Sequence, residues 1–484
     1  MLNKLRSAWA SVLMLSLLVA PDIGLAQRTV SSNITGRPVV QQITGNELID
    51  VRGADGSPQV SRLGDAFNDL SVSRGLVQSN PRGIFVGDSR TAQTLLQTGV
   101  RLDFKNAGFP SALRQLTKQR FNFGVDDVLA TSGFTTRQII DTYLPSIIKS
   151  DASFMTLLAG TNNWGAGISL AQTTADLDTL IKAGLNSGKW VVLVAELPRG
   201  DAAAYRLTPQ QMAFHTGLRR WCQQQARRAN VVVIDAWPTW LADPTATDVA
   251  ALDVAAGLTF DKLHPGGMGG FRLAKLMQPV FENRLAPINI LPASNFDTYS
   301  ADNPYGSLTP NPMMNGSGGN LVATSSTVTG TIPASYRAEC VNCAGLTVAL
   351  SVVTINGEKW WQAAITGTPT QAAGYLELRH LTFTSTAGDL LDAVAAYQVD
   401  AGQTGLNAVS LFWIENSVGQ YYADGGALDP TYNFTPDAVD AVLRTPSHEA
   451  TGVAAQDSFR VSFLQNVAVG ATVRLRALSV RKIR

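Results

Sequence analysis

Between about residues 80 and 286, short apolar runs alternate with stretches of helical periodicity, and that alternation leaves few folds open. Apolar runs of strand length separated by helices build βαβ units, whose crossovers make the strands parallel and place helices on both faces of one sheet. The spacing predicts strands at 84–86, 125–129, 154–159, 190–195 and 231–234. Before the last of these lies the most strongly signalled helix. Thr208 is its N-cap, Pro209 its first helical residue, and Gln211 closes a capping box ahead of apolar residues at helical spacing through Trp221 and Cys222. Residues 271–285 read as a closing helix kinked at Pro279. The expected fold is a three-layer α/β domain over 76–290 with about five parallel strands. Ligands of such sheets sit beyond the carboxyl ends of the strands, so the residues following each strand are where chemistry is sought.

The flanks differ in character. Residues 1–26 have a basic start (Lys4, Arg6), an apolar run over 9–20, then Pro21 and a small-residue exit at Gly24 and Ala26. This pattern reads as a signal peptide, shorter than the about 20 apolar residues of a membrane-spanning helix. A secreted or periplasmic chain with no membrane span is expected. Residues 27–75 form an N-terminal extension in which 47–51 and 59–63 alternate around a turn, a hairpin signal. A Pro-, Asn- and Gly-rich linker is expected over 291–320, and 321–484 alternate in the manner of a β-sandwich or jelly roll. With 38 Lys and Arg against 37 Asp and Glu, the chain carries no electrostatic footprint for nucleic acid. Of the three cysteines, Cys340 and Cys343 form a C-x-x-C that either oxidises after export or is half of a zinc site lacking its other half. Cys222 reads as a core residue.

Four segments carry groups suited to acyl transfer. Gly87-Asp88-Ser89-Arg90 turns the first strand into a helix and leaves the Ser89 hydroxyl beside backbone N–H groups, a setting that suits a nucleophile. Gly133, in the loop after the second strand, lets backbone approach a reacting group and offers its N–H to a developing oxyanion. Gly160-Thr161-Asn162-Asn163-Trp164 follows the third strand and supplies a carboxamide for the same oxyanion. Ahead of the closing helix, Asp261 and His264 stand three apart. A hydroxyl nucleophile needs a base, and the base needs a carboxylate on its other ring nitrogen to fix its tautomer. Each block alone is an ordinary turn or cap. His215, inside the capped helix, reads as a helix-face or core residue.

In this order and placement the four blocks resemble the SGNH, or GDSL-like, hydrolases over about residues 80–286. The resemblance implies a flavodoxin-like sheet, Ser89 as nucleophile, His264 as general base and acid, and Asp261 as the residue orienting it. It also implies an oxyanion hole formed by the Ser89 and Gly133 backbone N–H groups with the Asn162 side chain, and no metal or organic cofactor. Arg90 stands where the family usually has Leu, and Asn163 where it usually has Asp. Arg90 reads either as a substrate contact or as a solvent-facing residue at a helix start. Trp164 reads either as a stacking surface for a sugar ring or as a cover over the core.

The expected protein is a secreted serine esterase acting on carboxylic esters, with O-acetyl groups on a polysaccharide as first choice of substrate and short-chain lipid or general carboxylesters as second. The appended sandwich resembles carbohydrate-binding accessory modules in architecture, with Trp360, Trp361, Trp413, Tyr421 and Tyr422 as candidate stacking residues. Adjacent aromatics on a strand point to opposite faces, so one of Trp360 and Trp361 is expected in the core and the other outside. A reading from another class is a non-catalytic glycan-binding surface or virion protein.

Overall fold

The computed structural model describes residues 48–52, 58–62, 81–98, 101–200, 207–243, 245, 254–322, 327–380, 383–415, 420–427 and 431–483. The segment expected to be a signal peptide, 1–26, lies outside them. Among the described residues, no helix is long and apolar enough to cross a membrane. The chain forms two compact units, residues 1–79 and 80–484. In the first, β1 (Leu48–Arg52) and β2 (Pro58–Arg62) pair antiparallel where the sequence alternates around its turn.

The second unit begins with β3 (Gly83–Gly87), α1 (Ser89–Ala92), β4 (Leu95–Thr98), β5 (Arg101–Lys105) and α2 (Phe109–Leu116). It continues through β6 (Val128–Ala130), α3 (Thr136–Lys149), β7 (Phe154–Leu158), α4 (Leu170–Asn186), β8 (Trp190–Val194) and α5 (Pro209–Gln224). Then come β9 (Val231–Ile234), α6 (Trp237–Trp240) and α7 (Gly267–Arg284). Strands β6-β3-β7-β8-β9 lie in that order in one five-stranded sheet, every pair parallel. The order of the α/β sheet is the flavodoxin-like one.

Strand alternation divides the core between the two faces. Ile84, Val86, Met155, Leu157, Val191 and Leu193 face α3, α4 and α5, whose Ile139, Leu180 and Leu218 are buried with them. Phe85, Phe154, Val192 and Val194 face the opposite way, toward Phe109 of α2 and Phe281 of α7. Phe85 and Phe154 meet edge-on at 5.9 Å, as do Phe154 and Phe281 at 5.0 Å. The expected capping box of α5 is present, with Thr208 Oγ1 accepting from the Gln211 N–H and Gln211 Oε1 accepting from the Thr208 N–H. Two boundaries differ from expectation. Residues 125–127 form a 3₁₀ turn instead of the start of β6, because the Asp127 carboxylate accepts from the Gly124 N–H and from Arg82. The closing helix starts at Gly267 and runs on through Pro279. Its glycines let it close on neighbouring backbone: a Cβ on Gly269 would lie 2.0 Å from the Leu258 carbonyl oxygen.

After α7 the chain builds a β-sandwich of two sheets around one apolar core. One sheet has seven strands, with Glu358–Gly367, Val469–Lys482 and Leu390–Val399 adjacent at its centre. The other has nine, and its far edge is not made by the C-terminal region at all. The hairpin β4–β5 leaves the α/β part just after Ser89, and β5 pairs parallel with Gln420–Gly426. α2 then packs on strands Val439–Arg444 and Gln420–Gly426, where Arg114 donates to the Arg444 carbonyl at 2.7 Å and Ser111 to Asp424 at 3.0 Å. The segment 291–320, expected as a linker, is tied into the sandwich instead: the Leu308 N–H donates to the Val480 carbonyl at 2.8 Å.

Trp360 and Trp361 are both buried, as are Trp413 and Tyr422. The expected division of the tryptophan pair fails because Ile290 and Leu291 cover the outer face on which Trp360 lies. None of these four side chains is free to stack on a sugar. Cys340 and Cys343 join in a disulfide, so the half zinc site is excluded. Cys222 lies in the core, where burial pushes its thiol up to about 12.

Candidate active site

The carboxyl ends of β3 and β7 and the segment before α7 converge on Ser89. Ser89 opens the short helix α1, and the Asp88 side chain caps that turn by accepting from the Arg90 N–H at 3.1 Å. Its hydroxyl lies 2.8 Å from Nε2 of His264, and Nδ1 of His264 lies 2.6 Å from Oδ2 of Asp261. The tight 261–264 turn makes this possible. Asp261 Oδ1 accepts from the backbone N–H groups of Leu263 and His264, at 3.0 and 2.7 Å, and Lys262 takes a left-handed φ of 71°. The other carboxylate oxygen is thereby left for the imidazole. Partial burial opposes ionisation of Asp261, but the backbone and side-chain hydrogen bonds from His264 and the N–H of Leu263 outweigh it. The carboxyl is held below its ordinary range. A carboxylate on one ring nitrogen and a hydroxyl on the other is the arrangement in which an imidazole takes a proton from that hydroxyl.

Besides Ser89, the donors expected for an oxyanion lie on the loops that follow β6 and β7. Gly133 has a left-handed φ of 80°, which glycine adopts without strain. Asn162 Nδ2 donates to the Phe134 carbonyl at 2.9 Å, which fixes the carboxamide against the Gly133 loop and leaves its second N–H for another acceptor. Among the described residues, neither the Ser89 nor the Gly133 backbone N–H is engaged by another group. Asn163, where the family usually has Asp, is buried and structural. Its Oδ1 accepts from the Thr136 N–H, and its Nδ2 donates to the Thr136 and Thr173 hydroxyls.

The readings of Arg90 need correction. Arg90 neither faces solvent nor reaches a substrate, for it is fully buried. Its guanidinium donates to both oxygens of Asp88, at 3.0 and 2.8 Å, and to Oε2 of Glu196 at 3.3 Å. Glu196 follows β8, and its other oxygen lies 3.2 Å from Nδ1 of buried His215. Burial resists the charge on Glu196, but Arg90 and then His215 outweigh it and hold the carboxyl at about 2. Burial likewise opposes the Arg90 charge, and its two carboxylates raise its pKa above the ordinary value. Trp164 packs edge-on against Phe214 of α5, ring centroids 5.7 Å apart, on the core of the α3–α5 face. It packs partly buried against that core, as the second of the two readings expects. Glu196 escaped the sequence reading, although a carboxylate directly after a buried strand is a signal that could have raised it.

The fold and site define a class. Residues 85–269 match the GDSL-like lipase/acylhydrolase family, and this part of the chain is a domain of that family, an ester hydrolase of the SGNH type. Among solved structures the chain is similar to a GDSL-like lipase from Bacteroides thetaiotaomicron VPI-5482, at 14% identity and a TM-score of 0.33, covering 45% of this chain and 98% of that one. It is similar to the lipase/acylhydrolase from Enterococcus faecalis, at 19% identity and a TM-score of 0.33, with 43% and 99% covered. A carbohydrate esterase family 3 protein from Talaromyces cellulolyticus is similar at 16% identity and a TM-score of 0.30, with 42% and 97% covered. No curated protein matches the sequence.

Proposed function

We propose that the protein is a secreted serine esterase that removes O-acetyl groups from a polysaccharide. The observation that carries the esterase reading is the unbroken chain from Ser89 Oγ to His264 Nε2, at 2.8 Å, and from His264 Nδ1 to Asp261, at 2.6 Å. Ser89 Oγ attacks the ester carbonyl as His264 takes its proton. The Ser89 and Gly133 N–H groups and the Asn162 carboxamide hold the oxyanion. The tetrahedral intermediate collapses, His264 returns the proton to the leaving alcohol, and an acyl-Ser89 remains. Water then attacks that acyl group by the same route and releases the acid.

Polysaccharide as substrate is favoured by the export signal read in the sequence of 1–26. The test is acetate release from a panel of acetylated polysaccharides, run beside p-nitrophenyl esters of increasing acyl length. Acetate release from a polymer with turnover falling steeply beyond acetyl is expected. Turnover that rises with acyl length would replace the polysaccharide reading with a lipid or general carboxylesterase.

Asn162→Ala is expected to lower kcat about 10² to 10³-fold with little change in KM, because its N–H acts on charge that develops only in the transition state. Steady-state kinetics on p-nitrophenyl acetate check this, and an unchanged kcat removes Asn162 from the hole.

A further inference from the structure

The catalytic loop leans on the β-sandwich. The Phe260 ring lies near-parallel to the His264 imidazole, with centroids 5.5 Å apart and planes 16° apart. The Tyr432 ring lies near-parallel to Phe260 in turn, at 4.9 Å and 17°. Phe260 is 43% exposed, so burial alone does not fix its rotamer. Tyr432 comes from the sandwich, ahead of strand Val439–Arg444, and residues 432–437 are anchored there. The Tyr432 carbonyl accepts from Asn407 Nδ2 at 2.8 Å. Phe434 packs edge-on against Phe271 of α7 at 5.2 Å, and Asp437 pairs with Arg272 at 3.4 Å.

We propose that the β-sandwich completes the active site: Tyr432 is a positioning residue that holds Phe260 flat against the imidazole and so keeps His264 on the line between Asp261 and Ser89. The inference rests on the esterase reading of Ser89 and His264. The bonds to Asp261 and Ser89 meet the imidazole at its edges, and a tilt of the ring toward either face carries Nε2 off the line to Ser89. A ring lying against the imidazole face suppresses that motion. When His264 takes the Ser89 proton, the Phe260 face meets a cation within the range at which such pairs attract. That attraction is absent before proton transfer, so it acts on kcat.

The test uses the full chain and p-nitrophenyl acetate, with kcat normalised to the sites that a fluorophosphonate titrates, so that loss of folded protein is not read as loss of positioning. Tyr432→Ala is expected to lower kcat about three- to tenfold, the worth of one aromatic pair, with KM within about twofold of wild type. Tyr432→Phe is expected to keep kcat within about twofold, because the stack needs the ring and not the hydroxyl. A Tyr432→Ala kcat equal to wild type, or a Tyr432→Phe kcat as low as that of Tyr432→Ala, overturns the positioning role and leaves the esterase reading standing. A wild-type protein that releases no p-nitrophenol overturns both.

Discussion

Ser89→Ala is expected to abolish turnover of p-nitrophenyl acetate, lowering kcat by a factor of about 10⁴ or more, and to leave the melting temperature close to that of wild type. The size follows from the chemistry: the substitution removes the only atom that forms the acyl-enzyme, and what survives is binding and oxyanion stabilisation of direct attack by water. The stability expectation follows from the surroundings. Ser89 is 6% exposed, and its hydroxyl bonds a His264 ring that Asp261 continues to hold. A fluorophosphonate probe should label the wild-type protein and not the variant. Undiminished ester hydrolysis by the variant would refute Ser89 as nucleophile. A wild-type protein that neither turns over esters nor takes the label would favour the non-catalytic glycan-binding alternative.

Arg90→Met is expected to destabilise the protein by about 3–5 kcal/mol in denaturant unfolding, the cost of leaving buried charges without their partner. Met is an unbranched side chain that supplies no donor, so Asp88 and Glu196 lose the guanidinium they share in a region from which water is excluded. Adding Glu196→Gln should recover part of the loss. The same pair sets a pH dependence. Glu196 is held at about 2 against an ordinary 4.5, so its contribution is fully present above pH 4.5 and is lost as the pH falls through about 2. Wild-type stability should therefore drop across that window by a step that the double variant lacks. Equal unfolding midpoints for wild type and Arg90→Met would show that the network contributes nothing. Activity should fall as well, because Asp88 both caps the Ser89 turn and accepts from Arg90.

The parts of this molecule legible in its sequence are those set by local pattern. The apolar runs at 84–86, 154–159 and 231–234 need only a buried sheet to become strands, and strands in βαβ order have nearly one way to assemble. Ser89, Asp261 and His264 could be picked out together because they lie in the loops at the strand ends, and the topology of the sheet gathers those loops. What resisted reading depends on partners far along the chain. Arg90 looks like a surface residue until Glu196, more than a hundred positions away, buries beside it. One of Trp360 and Trp361 was expected outside the core, because nothing near them announces Ile290 and Leu291 as the cover of Trp360. The strands at 95–98 and 101–105 went unread, because β5 finds its partner only at Gln420–Gly426. Tyr432 has no motif, and only the packed structure brings it to the catalytic loop.

The route of β4–β5 also governs when this enzyme can come into being. A nascent chain emerging from the ribosome presents Ser89 and then a strand whose neighbour has yet to be synthesised, so the surroundings of the nucleophile stay unfinished until more than three hundred further residues have appeared. Such distant closure slows folding and exposes apolar edges while the chain waits. That delay withholds hydrolytic competence until the strand Gln420–Gly426 has been made.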